Sequence, residues 1–238
     1  MVMRICDLHT HVLPGVDDGA PSVEYALQML GNAVASDVTT LAVTPHFNHP
    51  LFPDPDIKEA FLQLQQAARE IPITLVHGGE VRVNDRLAAL LEAKNLPTIN
   101  GSRYLLTEFA MDTPSRDFIP WLERILSFGY TPLVAHPERY NALEEDPDMV
   151  ANWLDLGCHL QLTADSIQGA YGKKIQRTAK YLLQRDFVAC IASDAHSLHG
   201  RSNFLMDTYD HLAVQYSRQY ADCLMYETPM RICSNDKL

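Results

Sequence analysis

The chain has 238 residues, of which 47% are apolar and 21% charged. That is enough to bury a sizeable core without disulfides, and it excludes a disordered or collagen-like polymer. Lys and Arg total 19 against 30 Asp and Glu, a formal net charge of −11, so the bulk field repels polyanions and nucleic acid is excluded as the main partner.

The N-terminal residues form a first apolar run, 2–8, which leads into Asp7-Leu8-His9-Thr10-His11. It turns polar too early for a signal peptide. Val16-Asp17-Asp18-Gly19 follows, a segment that reads equally as a turn before a helix and as a source of a carboxylate ligand. Residues 22–36 have helical periodicity, with Val23, Ala26, Leu27, Leu30 and Val34 on one face. A second run, 39–44, leads to His46, and a third, 73–76, leads through Gly78-Gly79 to Glu80. The fourth run, 104–109, contains Glu108; the fifth, 131–135, leads to His136. The sixth, 159–162, leads to Thr163-Ala164-Asp165, a weaker candidate ligand, and the seventh, 187–192, to Asp194-Ala195-His196. No apolar run approaches the ~18 residues of a membrane helix, so a soluble cytoplasmic protein with no membrane insertion is expected. In the tail, 209–226, Tyr209, Leu212, Ala213, Tyr216 and Tyr220 share a helical face, which reads first as core packing. Seven strand-then-helix units, with no Gly- or Pro-rich linker between halves, predict one α/β domain over 1–238, a closed or nearly closed parallel barrel.

In such a barrel the C-terminal strand ends open on one face. Six of the seven runs therefore bring a potential metal ligand to a common mouth. His9 and His11 are two apart on an extended strand and share a face, and Asp194 and His196 repeat the spacing. Imidazoles and carboxylates without thiolates suit Zn²⁺, Mn²⁺ or Fe²⁺. The cysteines, Cys6, Cys158, Cys190, Cys223 and Cys233, are odd in number and form no C-x-x-C pair, so they read as buried thiols in a reducing compartment. His49, His77, His159, His199 and His211 read as structural or solvent-facing, with His199 the nearest to an exception.

Taken in order, H-x-H, Asp-Asp-Gly, Thr-Pro-His, Gly-Gly-Glu, Thr-Glu-Phe, Ala-His-Pro-Glu-Arg-Tyr and Ser-Asp-Ala-His resemble the PHP (polymerase and histidinol phosphatase) metallophosphoesterases. Within them the chain is most similar to the bacterial tyrosine phosphatases of capsule and exopolysaccharide operons. The likeness runs from Asp7 to about Ile232. H-x-H alone is a weak signal; the ordered set is a strong one. The resemblance implies a distorted (β/α)7 barrel holding three divalent ions, commonly manganese, with Fe²⁺ or Zn²⁺ as alternatives. It assigns His9, His11, Glu80 and Asp194 to one ion, and Asp18, His46 and His196 to a second. Glu108 and His136 would hold the third, with Glu80 bridging. Asp18 is preferred to Asp17 in this set. Arg139 and Arg201 match the family's phosphate-binding arginines, while Phe47-Asn48-His49-Pro50-Leu51-Phe52 stands where relatives carry a histidine-rich segment.

Four carboxylates against three divalent ions leave the site near about +2, so local charge would be reversed despite the total. A dianionic phosphate could then bridge the metals, with Arg139 and Arg201 donating to its remaining oxygens. The reaction implied is hydrolysis of phosphotyrosine by hydroxide held on the metals, with Asp194, His46 or ordered water as proton donor to the leaving group. A thiol-dependent route is excluded, because no cysteine has Arg six residues on. By the same resemblance the substrate would be the tyrosine-rich tail of a bacterial tyrosine autokinase. Two other readings are a small-molecule phosphatase such as a histidinol-phosphate phosphatase, against which Glu108 argues, and a metal-binding module without catalysis.

Overall fold

A computed structural model describes residues 4–54 and 56–238. Residues 2 and 3 of the first apolar run lie outside the described residues. The strands in chain order are β1 (Ile5–Asp7), β2 (Val38–Val43), β3 (His46–Phe47), β4 (Thr74–His77), β5 (Glu80–Arg82), β6 (Tyr104–Glu108), β7 (Thr131–Ala135), β8 (His159–Thr163) and β9 (Cys190–Ala192). They pair in two sheets, ordered β1-β2-β4 and β3-β5-β6-β7-β8-β9, and every pairing is parallel. Parallel sheets are covered on both faces, which is why these strands read as continuous apolar runs and not as alternating ones.

Seven runs become nine strands because two of them break. Pro45, which has no N–H to give to a ladder, separates β2 from β3, and Gly78-Gly79 separates β4 from β5. The break is held in register by the Glu80 N–H, which donates to Pro45 O at 2.9 Å. The seventh run supplies only Cys190–Ala192. Its first residues finish the preceding helix, with the Phe187 N–H donating to Leu182 O at 3.1 Å beside Asp186 in the left-handed region. Beyond the strands proper, the Asp194 N–H donates to His9 O at 2.9 Å and the His11 N–H to Ala195 O at 2.8 Å, joining the extensions of the first and last strands.

The connections carry α1 (Val23–Ala35), α2 (Ile57–Ala67), α3 (Leu87–Ala93), α4 (Ser115–Ser127), α5 (Asn141–Glu145) and α6 (Val150–Asp155). They continue with α7 (Ala164–Gln168), α8 (Lys173–Gln184), α9 (Met206–Gln215), α10 (Arg218–Asp222) and α11 (Thr228–Cys233). Helix α1 starts and stops within a residue of the expected 22–36, since Ser22 Oγ caps the Tyr25 N–H. Its buried face is Ala26, Met29, Leu30 and Ala33, while Val23 is exposed, so the core side is rotated from the expected stripe. The tail is not one helix: Ser217 caps a new turn at Tyr220, and α9 stops at Gln215. Tyr209 and Leu212 are nonetheless buried, and Ala213, Tyr216 and Tyr220 pack against the main core, as core packing requires.

Two features of the core position the mouth. Phe109, Phe118, Tyr140 and Trp153 pack together, and the buried Tyr140 hydroxyl donates to Ala135 O at 2.8 Å while accepting the Phe109 N–H at 3.0 Å. One aromatic side chain thereby ties the C-terminal ends of β6 and β7, which carry Glu108 and His136. At the other end of the strands, α11 buries Ile232 and Cys233 against Cys6, Leu8 and Leu106. The Tyr104 hydroxyl donates to Asp236 O there at 2.6 Å. The mouth is left as the open end. No helix among the described residues is long and apolar enough to cross a membrane.

Candidate metal centre

The structure brings eight of the nine expected ligand residues to the end of the parallel sheets where β1, β2, β4, β6, β7 and β9 finish, and the loop before α1 brings Asp18 to the same place. His9 and His11 lie just past β1, His46 opens β3, Glu80 opens β5 and Glu108 closes β6; His136 follows β7, and Asp194 and His196 follow β9. Eight are buried; Asp18 is exposed at the rim. Donor atoms within 4.8 Å of one another fall into four overlapping groups. These are His9-His11-Glu80, His11-Asp18-His46-His196, Glu80-Glu108-His136 and His46-His49-Glu108. Sharing of His11, His46, Glu80 and Glu108 between groups makes the centre continuous.

Glu80 sits in the middle. One of its oxygens is 2.9 Å from His136 Nε2 and 3.3 Å from His9 Nε2; the other is 2.9 Å from His46 Nδ1 and 3.4 Å from His11 Nε2. Asp194 Oδ1 lies 3.4 Å from His9 Nε2 and 3.6 Å from His11 Nε2, and it has no hydrogen-bond partner. His196 Nε2 is likewise buried and without a hydrogen bond, 3.4 Å from Asp18 Oδ1. His9 and His11 point their Nε2 atoms at a common place, 3.2 Å apart. Buried imidazole nitrogens and carboxylate oxygens aimed at shared points, some of them unpartnered, fit divalent cations.

The Asp-Asp-Gly segment resolves into two roles and a steric requirement. Asp17 accepts from His11 Nδ1 at 2.9 Å and from the His46 backbone N–H at 3.0 Å, so it fixes the orientation of the His11 ring from behind and ties down the backbone that carries His46. Asp18 faces forward, 3.4 Å from the Nε2 atoms of His46 and His196. A Cβ at Gly19 would fall 1.9 Å from His11 O, so only glycine allows the loop to close on His11. His136 and Asp194 both have positive φ, 37° and 54°, a conformation that costs free energy in a non-glycine residue.

Electrostatics divide the donors between those held in the form an ion needs and those held toward the protonated form. Burial opposes charge on the histidines, but Asp17 and Glu80 push His11 up to about 9, and Asp18 and Glu80 push His46 up to about 11. Burial and Arg139 push His136 down to about 4, leaving it neutral. Burial, with Glu80 beside it, pushes Glu108 up to about 7. His196 and His46 hold Asp18 well below the usual carboxylate range. Asp194 is held low despite burial by His9 and Arg201. A cation entering the centre displaces the protons now on the imidazoles.

Two arginines converge on the outer oxygen of Asp194: Arg139 Nη1 at 2.7 Å and Arg201 Nη2 at 2.8 Å. Both keep further N–H groups free of that carboxylate. The Arg139 guanidinium also lies 4.9 Å from the ring of Tyr171. Sequence reading missed Tyr171, and it missed Arg82, whose Nη1 is 2.9 Å from Glu108 Oε2. It missed Gln161 too, whose Oε1 accepts from His9 Nδ1 at 2.9 Å. A signal existed for two of them, since Arg82 is two positions after Glu80 on the same strand face and Gln161 is a lone polar residue inside β8. His49, expected to be structural or solvent-facing, stacks on His46 with ring centres 4.5 Å apart. Neither Asp165, at the start of α7, nor Asp194 is in any of the four groups, but Asp194 alone approaches their members, His9 and His11.

Behind the arginines, Glu138 is fully buried, accepts the Thr163 N–H at 2.9 Å, and is pushed up by burial to about 7 from an ordinary 4.5. The fold thus favours the protonated acid. Its stabilising contribution is complete below about pH 4.5 and is lost as pH rises through about 7, at a cost of about 3 kcal/mol. Glu138→Gln keeps the acceptor and removes the titration. Ion-free variant protein is expected to outlast wild type in thermal melts above pH 7 and to match it near pH 4.5; equal melting shifts at both pH values would contradict this.

Comparison with known proteins agrees with this geometry. A family model described as capsular polysaccharide synthesis, CpsB/CapC, matches residues 5–234. Tyrosine-protein phosphatase CpsB of Streptococcus pneumoniae is 35% identical over 235 residues, covering 95% of this chain and 97% of its own. Tyrosine-protein phosphatase YwqE of Bacillus subtilis is 30% identical over 200 residues, covering 82% and 79%. A solved structure from work on YwqE of B. subtilis and CpsB of S. pneumoniae, described as unique metal-dependent tyrosine phosphatases, superposes with a TM-score of 0.91. Its identity is 26%, with 98% and 96% of the two chains covered. The lactonase Lmo2620 of Listeria monocytogenes superposes at 0.66 with 11% identity over 98% and 95% of the chains, a likeness of fold alone.

Proposed function

The chain belongs to the CpsB/CapC family of capsular polysaccharide synthesis proteins, and on that premise we propose that it is a metal-dependent protein-tyrosine phosphatase acting through the centre at the strand ends. The single observation that carries the reading is the convergence of eight of the nine expected donors into contiguous groups, with Asp194 Oδ1 3.4 Å from His9 Nε2, beside two phosphate-ready guanidiniums.

In the proposed ligand sets, His9, His11, Glu80 and Asp194 hold one ion and Asp18, His46 and His196 a second. Glu108 and His136 hold a third, shared through Glu80. The overlapping donor groups support these sets for every ligand but Asp194, which rests on the 3.4 Å approach of its Oδ1 to His9 Nε2, and they place His11 between the first two. A carboxylate-rich donor set suits Mn²⁺, with Fe²⁺ or Zn²⁺ able to take the same ligands. The architecture proposed is a single distorted (β/α)7 barrel domain in which β2 with β3, and β4 with β5, are each one broken strand. Its support is the parallel order and the backbone hydrogen bonds between the extensions of β1 and β9.

When bound, the ions supply Lewis acidity toward the phosphoryl oxygens and lower the pKa of coordinated water. The chain's own residues do the rest. Asp17 and Gln161 fix the tautomers of His11 and His9 by accepting from their Nδ1 atoms, which turns each Nε2 lone pair inward. Asp194 holds Arg139 and Arg201 with their remaining N–H groups available to equatorial phosphoryl oxygens, where negative charge concentrates during transfer. The phenolate of tyrosine, with a parent pKa of about 10, needs only modest protonation to leave. A flexible tyrosine-rich kinase tail is the substrate we favour, because Asp18 is exposed at the rim and Arg201 is only half-buried there. Five free cysteines suit a reducing, cytoplasmic setting.

Chelation tests this directly. EDTA is expected to abolish hydrolysis of a phosphotyrosine peptide and Mn²⁺ to restore it, while iodoacetamide leaves most activity, since burial pushes thiols such as Cys158 up to about 12. Activity that survives chelation and disappears on alkylation would contradict it, and a clear preference for histidinol phosphate over the peptide would reassign the substrate.

A further inference from the structure

A second feature lies outside the metal centre. Helices α8 and α9 border a cleft of about 540 Å³ lined by Lys173, Gln176, Arg177, Lys180, His211 and Gln215, among others, and no carboxylate lines it. The three cations are exposed and spaced i, i+4, i+7, so they share one face of α8. Among the described residues none of the three forms an ion pair, whereas neighbouring Lys174 is 3.2 Å from Glu144. In a chain of net charge −11 this is a local inversion.

The arrangement works against the helix that carries it. Helix α8 has no acidic residue in its first turn, where the macrodipole favours one, and it places Lys173 there instead. Like charges at i, i+4 also repel. The helix that lines the cleft is tied at its start to one of the two arginines. Tyr171, two residues before α8, holds the Arg139 guanidinium against its ring, and α8 packs on the 137–139 turn that carries that arginine.

We propose that this cleft docks an acidic peptide segment flanking the phosphotyrosine in the substrate protein, a role that rests on the phosphatase reading above. The cations would meet carboxylates or further phosphates on an extended chain whose scissile phosphate sits at Arg139 and Arg201. Exposed cations of this kind act through long-range attraction and steering, so the effect weakens as salt rises.

The test uses the full chain and three substrates: p-nitrophenyl phosphate and two phosphotyrosine peptides of equal length, flanked by glutamates or by glutamines. Wild type is expected to favour the acidic peptide by about tenfold in kcat/KM at low salt, with the preference shrinking as salt is added. Combined Lys173→Glu, Arg177→Glu and Lys180→Glu substitutions are expected to abolish that preference while leaving p-nitrophenyl phosphate turnover unchanged. Glutamine at the same positions guards against misfolding and is expected to give an intermediate loss. No preference in wild type, a preference retained by the variants, or an equal fall on all three substrates would overturn the docking role. Fluorescence anisotropy of the glutamate peptide with phenylalanine in place of phosphotyrosine separates the two readings. Salt-sensitive binding lost in the triple variant supports the cleft even if no hydrolysis occurs, and absence of binding overturns it even if hydrolysis is normal.

Discussion

Glu80→Ala is expected to lower kcat/KM toward a phosphotyrosine peptide by about 10³-fold or more, at least the effect of deleting a preorganised electrostatic group in other active sites. Among the described residues Glu80 is the one side chain whose two oxygens reach four imidazoles, those of His9, His11, His46 and His136. Removing it takes a bridging anion from between the proposed metal positions and leaves buried histidines without their charge partner. Its place is set by the break after Gly78-Gly79, where a Cβ on Gly79 would meet Pro97 Cγ at 2.5 Å, and by register with His46. Glu80→Gln keeps the shape and removes the charge. Metal content and steady-state kinetics on both variants check the expectation: both should lose bound metal and turnover together, and a glutamine variant with normal metal content and activity would contradict it.

Arg139→Ala should leave metal content near wild type but lower turnover by about 10³-fold, because arginines that meet transferring phosphoryl groups stabilise charge that develops in the transition state. Arg139 bonds the outer oxygen of Asp194, away from the oxygen that faces His9 and His11. Its loss therefore removes a phosphate donor and leaves the inner donor set in place. Arg139→Lys should recover little, since an ammonium on a flexible stem cannot reproduce the planar fork that grips Asp194 and lies on Tyr171. Arg201→Ala should be weaker than Arg139→Ala, because Arg201 is the more exposed of the two side chains. The measurement is kcat against KM for both variants: a rise in KM with kcat unchanged would mean that the arginine contributes uniform binding and not transition-state stabilisation.

The sequence carried the mouth of this fold more clearly than its walls. Every proposed ligand except Asp18 stands within, or a few residues after, an apolar run, and parallel pairing puts all such ends on one side, so most of the spatial convergence follows from connectivity. Strand breaks were not legible. Whether Pro45 and Gly78-Gly79 interrupt the ladder depends on how neighbouring strands close around Thr44 and Pro97, which are contacts across the fold. Residues that orient the ligands were hidden for a related reason. Asp17 is indistinguishable from Asp18 as letters, and its role appears only when the loop folds back so that Gly19 meets His11. The face of α1 was misjudged at Val23 because burial there depends on what α1 packs against, not on periodicity alone. Tyr171 lies between α7 and α8, and only the folded chain brings it to Arg139.

Anomalous diffraction from crystals grown with Mn²⁺ tests the central claim most directly. The account predicts three adjacent peaks at the strand ends, with His9 and His11 at one, Asp18 and His196 at another, and Glu108 and His136 at the third. A solitary peak, or manganese bound away from these side chains in an enzyme that is active with it, would contradict it.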